Sequence, residues 1–150
     1  MKLVTKTILL FALVMGVSAT TTAQPSLYVE GTHYDVIANP VRTSDPNKVE
    51  VTEIFWYGCP HCFAFEPLIN SWEEKLPSDV AFVRSPGMWN ATMEMHAQIY
   101  YAAEALGVTA DVHEVAFDEI HNRRNYLQTD DAVKALFVSE GVAEDDFDRA

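Results

Sequence analysis

Cysteine is scarce in this chain of 150 residues: Cys59 and Cys62 are the two it has. A structural zinc site needs about four ligands, and His33, His96, His113 and His121 stand at no ligand spacing that would complete one. Covalent haem is excluded because Phe63, not histidine, follows the second cysteine. The sequence therefore implies no metal and no other cofactor. Positive charge is also scarce, with 10 Lys and Arg against 22 Asp and Glu and a formal net charge of −12. Phosphate backbones are bound by clustered cations, so nucleic acid is not an expected partner. No apolar run reaches the roughly 20 residues that span a bilayer.

The apolar block at 8–17 is too short for a span. It is preceded by Lys2 and Lys6 and followed by small residues ending at Ala23. That order is the pattern of a secretory signal peptide over 1–23, with Gln24 as the first mature residue. Cleavage removes two lysines and no acid, which takes the net charge from −12 to −14. The mature chain is expected to be exported and not membrane-spanning. Outside the inner membrane the two cysteines meet an oxidising compartment in which they can bridge.

Residues 27–36 alternate loosely and suggest a short strand, and 39–47, with Pro40, Asp45 and Pro46, a loop. Residues 49–57 (VEVTEIFWY) are β-branched and aromatic and predict a strand ending at Gly58. A helix follows. Pro60 suits its first position, and Cys62, Phe65, Ile69, Trp72 and Leu76 recur at steps of three and four as one apolar face. Pro67 marks a kink, and Pro77 a stop. Residues 80–84 (VAFVR) predict a second strand, completing a βαβ unit with parallel strands. Beyond Pro86 the pattern turns helical: 90–106 closed by Gly107, 111–121 opened by an Asp111/Glu114 capping box, 129–140 closed by Gly141, and the start of a fourth helix at 143–150.

The chemistry resides in Cys59-Pro60-His61-Cys62, at the junction of strand and helix. A bridge closing so short a loop restrains the unfolded chain by only about 2 kcal/mol, against about 4.7 for a hundred-residue loop. The pair is better placed for exchange than for stapling. Exchange starts from a thiolate. Cys59 lies at the helix start, where free N–H groups and the macrodipole favour negative charge. His61 offers a donor or, protonated, a positive charge; its alternative is a surface turn residue. Cys62, one turn further on, is expected to be more buried and less acidic. Glu53 lies in the first strand: it is either an ordinary solvent-facing residue or a buried carboxylate with a raised pKa that exchanges a proton with Cys62. His33, His96, His113 and His121 read as plain surface or helix residues, and Trp56 and Phe63 as packing or part of an apolar rim.

The stretch 52–67, TEIFWYGCPHCFAFEP, resembles the active-site segment of the DsbA family of bacterial periplasmic thiol oxidases, and its CPHC matches that family's motif in every letter. The resemblance extends from about Tyr28 to Ala150. It implies a thioredoxin-like α/β fold with an inserted helical domain: signal peptide 1–23, thioredoxin-like part 24–87 carrying CPHC, and helical insertion 88–150. It also implies Cys59 as nucleophile, Cys62 as resolving thiol and His61 as thiolate stabiliser. Glu53 matches the family's buried acid and Glu66 another acid near the active-site helix. Arg84 stands where the family can carry a lysine; it can hold charge but cannot shuttle a proton. Pro86 is the last proline, so the family's cis-proline loop and final two strands are expected to be missing, leaving a sheet edge open. The implied function is donation of the Cys59–Cys62 disulfide to reduced or unfolded exported proteins in the periplasm, with a DsbB-type quinone-linked membrane protein as reoxidant. The alternatives are a disulfide reductase or isomerase, or a truncated, non-catalytic peptide-binding remnant.

Overall fold

The β-branched run forms strand β1, Val49–Phe55. Strand β2, Val80–Pro86, lies parallel to it in a register running from Val49↔Val80 to Phe55↔Pro86. Parallel neighbours need a crossover, and helix α1, Pro60–Glu73, supplies it, so the expected βαβ unit is present. This computed structural model describes residues 27–150; the signal-peptide reading at 1–23 lies outside the described residues.

Helix α1 runs through Pro67 and ends at Glu73, short of Pro77. The Lys75 and Leu76 amides donate to the Trp72 and Glu73 carbonyls, so the chain tightens into i→i−3 turns before the proline is reached. The apolar face expected of α1 is only partly buried: Ile69 is covered, while Phe65 and Trp72 are 47% and 41% exposed. Two strands are too narrow to roof the helix. They leave an apolar cleft of about 520 Å³ lined by Val51, Phe65, Leu68, Ile69, Trp72 and Phe82, with Thr52 and Glu53.

The helical block contains α2, Ala91–Leu106; α3, Thr109–His121; α4, Asp130–Ser139; and the short α5, Glu144–Phe147. Asn90 caps α2 by accepting from the Met93 amide at 3.0 Å. Gly107, at φ +71°, closes it, and the Val108 amide donates back to the Ala103 carbonyl at 2.9 Å. Only Gly107 and Val108 separate α2 from α3. Helix α3 therefore begins at Thr109, and the expected capping box at Asp111 and Glu114 is not its start. Asp111 instead sits in the first turn, where its charge suits the dipole. Thr129 caps α4.

Phe55 and Tyr57, at the end of β1, join Ile99, Tyr100, Val112, Phe117, Leu127 and Phe137 in one buried cluster. The core thus lies between the sheet end that carries the cysteines and the helical block. Residues 42–150 form one compact unit, and the chain before Arg42 falls outside it. The described part of the latter, 27–41, holds no strand. Gly31, at φ +76°, turns the chain, the Glu30–Tyr34 pairing is an isolated bridge, and the Val29 amide donates to His33 Nδ1 at 3.0 Å. A glycine in the left-handed region breaks the alternation on which the strand expectation rested.

Candidate active site

Strand β1 ends by turning into α1 through Trp56, Tyr57 and Gly58. The Cys59 amide donates to the Trp56 carbonyl at 2.9 Å. Gly58 is required there, because a Cβ would lie 2.3 Å from Trp56 Cζ2. Cys59 occupies the N-cap of α1, with Pro60 inside the first turn. Its Sγ accepts from the Cys62 amide at 3.4 Å, and both thiols are free.

The two sulfurs differ electrostatically. Burial is the largest influence on Cys59 and pushes it up. The Cys62 amide, the Cys62 thiol and the His61 amide together reverse this and hold it below the ordinary thiol value. Cys62 is pushed up to about 11, first by burial; the Trp56 backbone opposes this, and a hydrogen bond with Cys59 and the charges of Cys59 and Glu53 add to it. The gap is the one expected of a helix-capping thiol facing a more buried partner. The His61 ring is exposed; the group of this residue that acts on Cys59 is its peptide N–H.

Glu53 and Arg84 are cross-strand partners in the β1–β2 register. Arg84 Nε lies 3.3 Å from Glu53 Oε2. Its Nη1 lies 3.1 Å from Glu73 Oε2, and its Nη2 donates to Asn70 Oδ1 at 2.6 Å. Glu66 Oε2 is 3.8 Å from Arg84 Nη2 and 3.3 Å from His113 Nε2. Glu66, Asn70 and Glu73 share a face of α1 because they are spaced by four and three. The structure thus gathers three of the sequence-indicated residues, Glu53, Glu66 and Arg84, into one largely buried cluster. Glu53 is raised above the ordinary carboxylate value, by burial first and then by the Glu66 charge, with Arg84 and His113 opposing.

Three histidines read as surface or plain helix residues belong to this region, and that expectation is corrected. His96 is 2% exposed, stacks on Trp56 at 5.9 Å and donates from Nε2 to the Tyr126 carbonyl at 3.0 Å. Burial lowers its pKa, against that bond. His113 is buried, with Nδ1 2.9 Å from the Tyr57 hydroxyl. His121 stacks flat on Phe63, with ring centroids 4.7 Å apart, and its Nε2 donates to the Tyr57 carbonyl at 2.8 Å. The spacing His113, Phe117, His121 repeats every four residues along α3 and marks one face. It was the available signal, since Val112, Ala116 and Ile120 flank it and are buried. His33, by contrast, is exposed as expected.

A groove of about 710 Å³ runs beside the cysteines, lined among others by Trp56, Gly58, Pro60, His96, His121 and Tyr126. No helix among the described residues is long and apolar enough to cross a membrane.

No family model matches the chain. Among curated proteins it is 42% identical over 125 residues to the thiol:disulfide interchange protein DsbA of Pseudomonas aeruginosa, covering 83% of this chain and 59% of that one. To the protein of the same name from Bordetella pertussis it is 38% identical over 149 residues, covering 99% of this chain and 70% of that one. Among solved structures, a crystal structure of a Pseudomonas aeruginosa DsbA variant matches with a TM-score of 0.72 at 42% identity, over 80% of this chain and 65% of that one. Reduced DsbA1 from Neisseria meningitidis matches with a TM-score of 0.63 at 28% identity, over 82% and 66%. The chain spans about three fifths of the length of the Pseudomonas aeruginosa relative.

Proposed function

Because the chain belongs to the DsbA family of thiol:disulfide interchange proteins, we propose that it oxidises reduced, exported proteins by handing them a Cys59–Cys62 disulfide. Its fold is the family's thioredoxin-like α/β arrangement with a helical insertion. In our reading the part up to residue 87 carries the reaction and 88–150 is the insertion that covers the buried side of the site.

A substrate thiolate attacks Cys59 Sγ; the Cys59–Cys62 bond breaks, a substrate–Cys59 bond forms, and Cys62 departs as a thiolate that takes up a proton. A second substrate thiolate then attacks the substrate sulfur of the mixed disulfide and expels Cys59. The substrate loses two electrons and the enzyme gains them as a dithiol. The observation that carries this reading is the opposite displacement of the two thiols. A sulfur held ionised is the better leaving group in the second step, and a stable thiolate favours the reduced enzyme, which makes the disulfide oxidising. Departure of the more basic Cys62 needs a nearby acid, and Glu53, raised above the ordinary carboxylate range and in electrostatic reach of Cys62, suits that role. Glu66 and Arg84 hold its charge environment. Pro60 fixes the first turn, and His61 contributes its amide and an exposed ring.

The family assignment supports reduced protein substrates; the signal-peptide pattern read in the sequence at 1–23 supports export to the periplasm. Reoxidation by a DsbB-type quinone-linked membrane protein completes the cycle. The test is direct. The oxidised chain, mixed with a peptide bearing two thiols, yields peptide disulfide and enzyme dithiol in equal amounts, and Cys59→Ser abolishes the transfer. Reduced Cys62→Ala, given a disulfide peptide, accumulates a mixed disulfide at Cys59. If the oxidised chain leaves the peptide thiols unchanged, the reading fails.

A further inference from the structure

His113 comes from the helical block, 51 positions beyond Cys62 in sequence, yet its ring closes the buried cluster behind the cysteines. Nε2 faces Glu66 Oε2 at 3.3 Å, and Nδ1 faces the Tyr57 hydroxyl at 2.9 Å. Two largely buried carboxylates, those of Glu53 and Glu66, share the one guanidinium of Arg84 with the more exposed Glu73. Arginine stays protonated, so it cannot adjust to this excess of negative charge. In a poorly solvated site the excess is relieved by binding a proton. The groups placed to hold it are His113 and a carboxyl.

The Tyr57 contact suits either state of the ring. With His113 neutral, the hydroxyl donates to Nδ1; with His113 protonated, Nδ1–H donates to the hydroxyl oxygen, and Nε2, 3.3 Å from Glu66 Oε2, meets the carboxylate by charge and not by an aligned hydrogen bond. Neither state requires the ring to move. A cavity of about 780 Å³, lined by Glu66, Asn70, Arg84, Tyr100 and His113 among others, reaches this point and is large enough to admit water. The remaining ionisable neighbours are Tyr100, whose ring centre is 6.1 Å from that of His113, Glu104, which acts on Tyr57 and Tyr100, and Glu114 on the same cavity wall.

Resting on the exchange reading above, we infer that His113 is a positioning residue of the reaction: it shares the exchangeable proton of the buried cluster with Glu53 and so sets whether Glu53 can protonate the departing Cys62. When Cys62 leaves as a thiolate, the Glu53 carboxyl gives it a proton. The cluster then carries one more negative charge, and His113 takes a proton from solvent through the cavity, for a net uptake of one proton from water. The His113 charge is already among those acting on Glu53.

The experiment uses the 150-residue chain as wild type, His113→Gln and His113→Lys. Two quantities are followed with pH: the Glu53 side-chain carboxyl by carbon NMR, and the single-turnover rate of peptide-dithiol oxidation. Removing the titratable cation keeps Glu53 protonated to higher pH, so in H113Q both the Glu53 ionisation and the falling limb of the rate move up by about half a pH unit or more. A lysine in H113K, protonated to higher pH than an imidazole beside the same carboxylates, moves both down. Superimposable Glu53 titrations in all three proteins overturn the inference. A measurement on folded wild type guards against loss of fold in the variants: the His113 ring is titrated in wild type and in Glu66→Gln. Its pKa falls in E66Q if the pair carries charge, and an unmoved value overturns the inference. If no peptide is oxidised by any form while the Glu53 titration shifts as stated, the exchange reading fails and the proton linkage stands.

Discussion

Glu53 and Arg84 face each other across the β1–β2 ladder, and Arg84 Nε approaches Glu53 Oε2 to 3.3 Å with both side chains largely out of water. Arg84 also meets Glu66 and Glu73. A sheet register thus fixes the charge balance beneath the cysteines, because strand partners cannot drift relative to each other as long surface side chains do.

Replacing Arg84 with Met is expected to cost about 3 kcal/mol at neutral pH, since it leaves buried carboxylates without their cation. Glu53 already sits above the ordinary carboxylate range, and without Arg84 it rises further. A raised carboxyl penalises the fold once ionised and ceases to do so as pH falls below its ordinary value. The deficit of Arg84→Met is therefore smaller near pH 4 than at pH 7, as urea unfolding at the two pH values measures. An equal deficit at both rules out a charge-based role.

The dithiol form should show a stability maximum near pH 9. The folded pKa of Cys59 lies below its ordinary value of 9.0. Its contribution grows as pH climbs from that lowered value to about 9 and is lost as pH falls through it. Cys62 is displaced the other way, to about 11. Between about 9 and 11 the unfolded chain releases this proton first, so stability declines. Urea unfolding of the dithiol, with a Cys59→Ser/Cys62→Ser variant subtracted at each pH, isolates the pair. A flat difference curve contradicts both displacements.

Much of this site was legible in local sequence. A β-branched run, Gly58 and Pro60 after it, and two cysteines one turn apart place a reactive thiol at a helix start by short-range rules alone. Glu66 and Arg84 entered through the likeness to a family, because their meeting depends on a strand register and a crossover that no periodicity displays. Among the histidines, His96 alone on its helix has no local pattern; the four-residue spacing of His113 and His121 marks a face of α3, but the burial of that face is decided by what packs on it. Residues 27–36 failed in the opposite sense. Their loose alternation resembled a strand, but a turn at Gly31 and the bond to His33 won locally. The start of α3 was misjudged because the two-residue link closing α2 left no room for a capping box at Asp111.

His61 acts on Cys59 through its amide, so two substitutions separate ring from backbone. His61→Pro removes the N–H and is tolerated in the first turn, where no intrahelical partner is lost. His61→Ala keeps the amide and removes only the exposed ring. The Cys59 pKa, read from the pH dependence of alkylation, should rise in H61P and stay near the wild-type value in H61A. The weaker oxidant of the two should be H61P as well, because a less stable thiolate favours the disulfide. Should H61A exceed H61P, the imidazole and not the peptide group governs the thiolate.

His121 joins the helical block to the cysteine turn in two ways that can be taken apart. Its Nε2 bond ends on a carbonyl oxygen, that of Tyr57, so this nitrogen carries hydrogen whatever the ring's charge. The stack on Phe63 needs only a flat ring. His121→Phe keeps the stack and leaves the carbonyl of the buried Tyr57 without its donor, which costs about 1–3 kcal/mol. His121→Ala loses the stack as well, a further loss of about 0.5–1.5 kcal/mol. Because Tyr57 and Phe63 flank the two cysteines, either change should also loosen the Cys59 environment. Amide hydrogen exchange at Cys59 and Cys62 is then faster in both variants relative to wild type, more so in the alanine form. Stability lost without faster exchange at these two amides would mean that His121 braces the helical block alone and leaves the cysteine turn to hold itself.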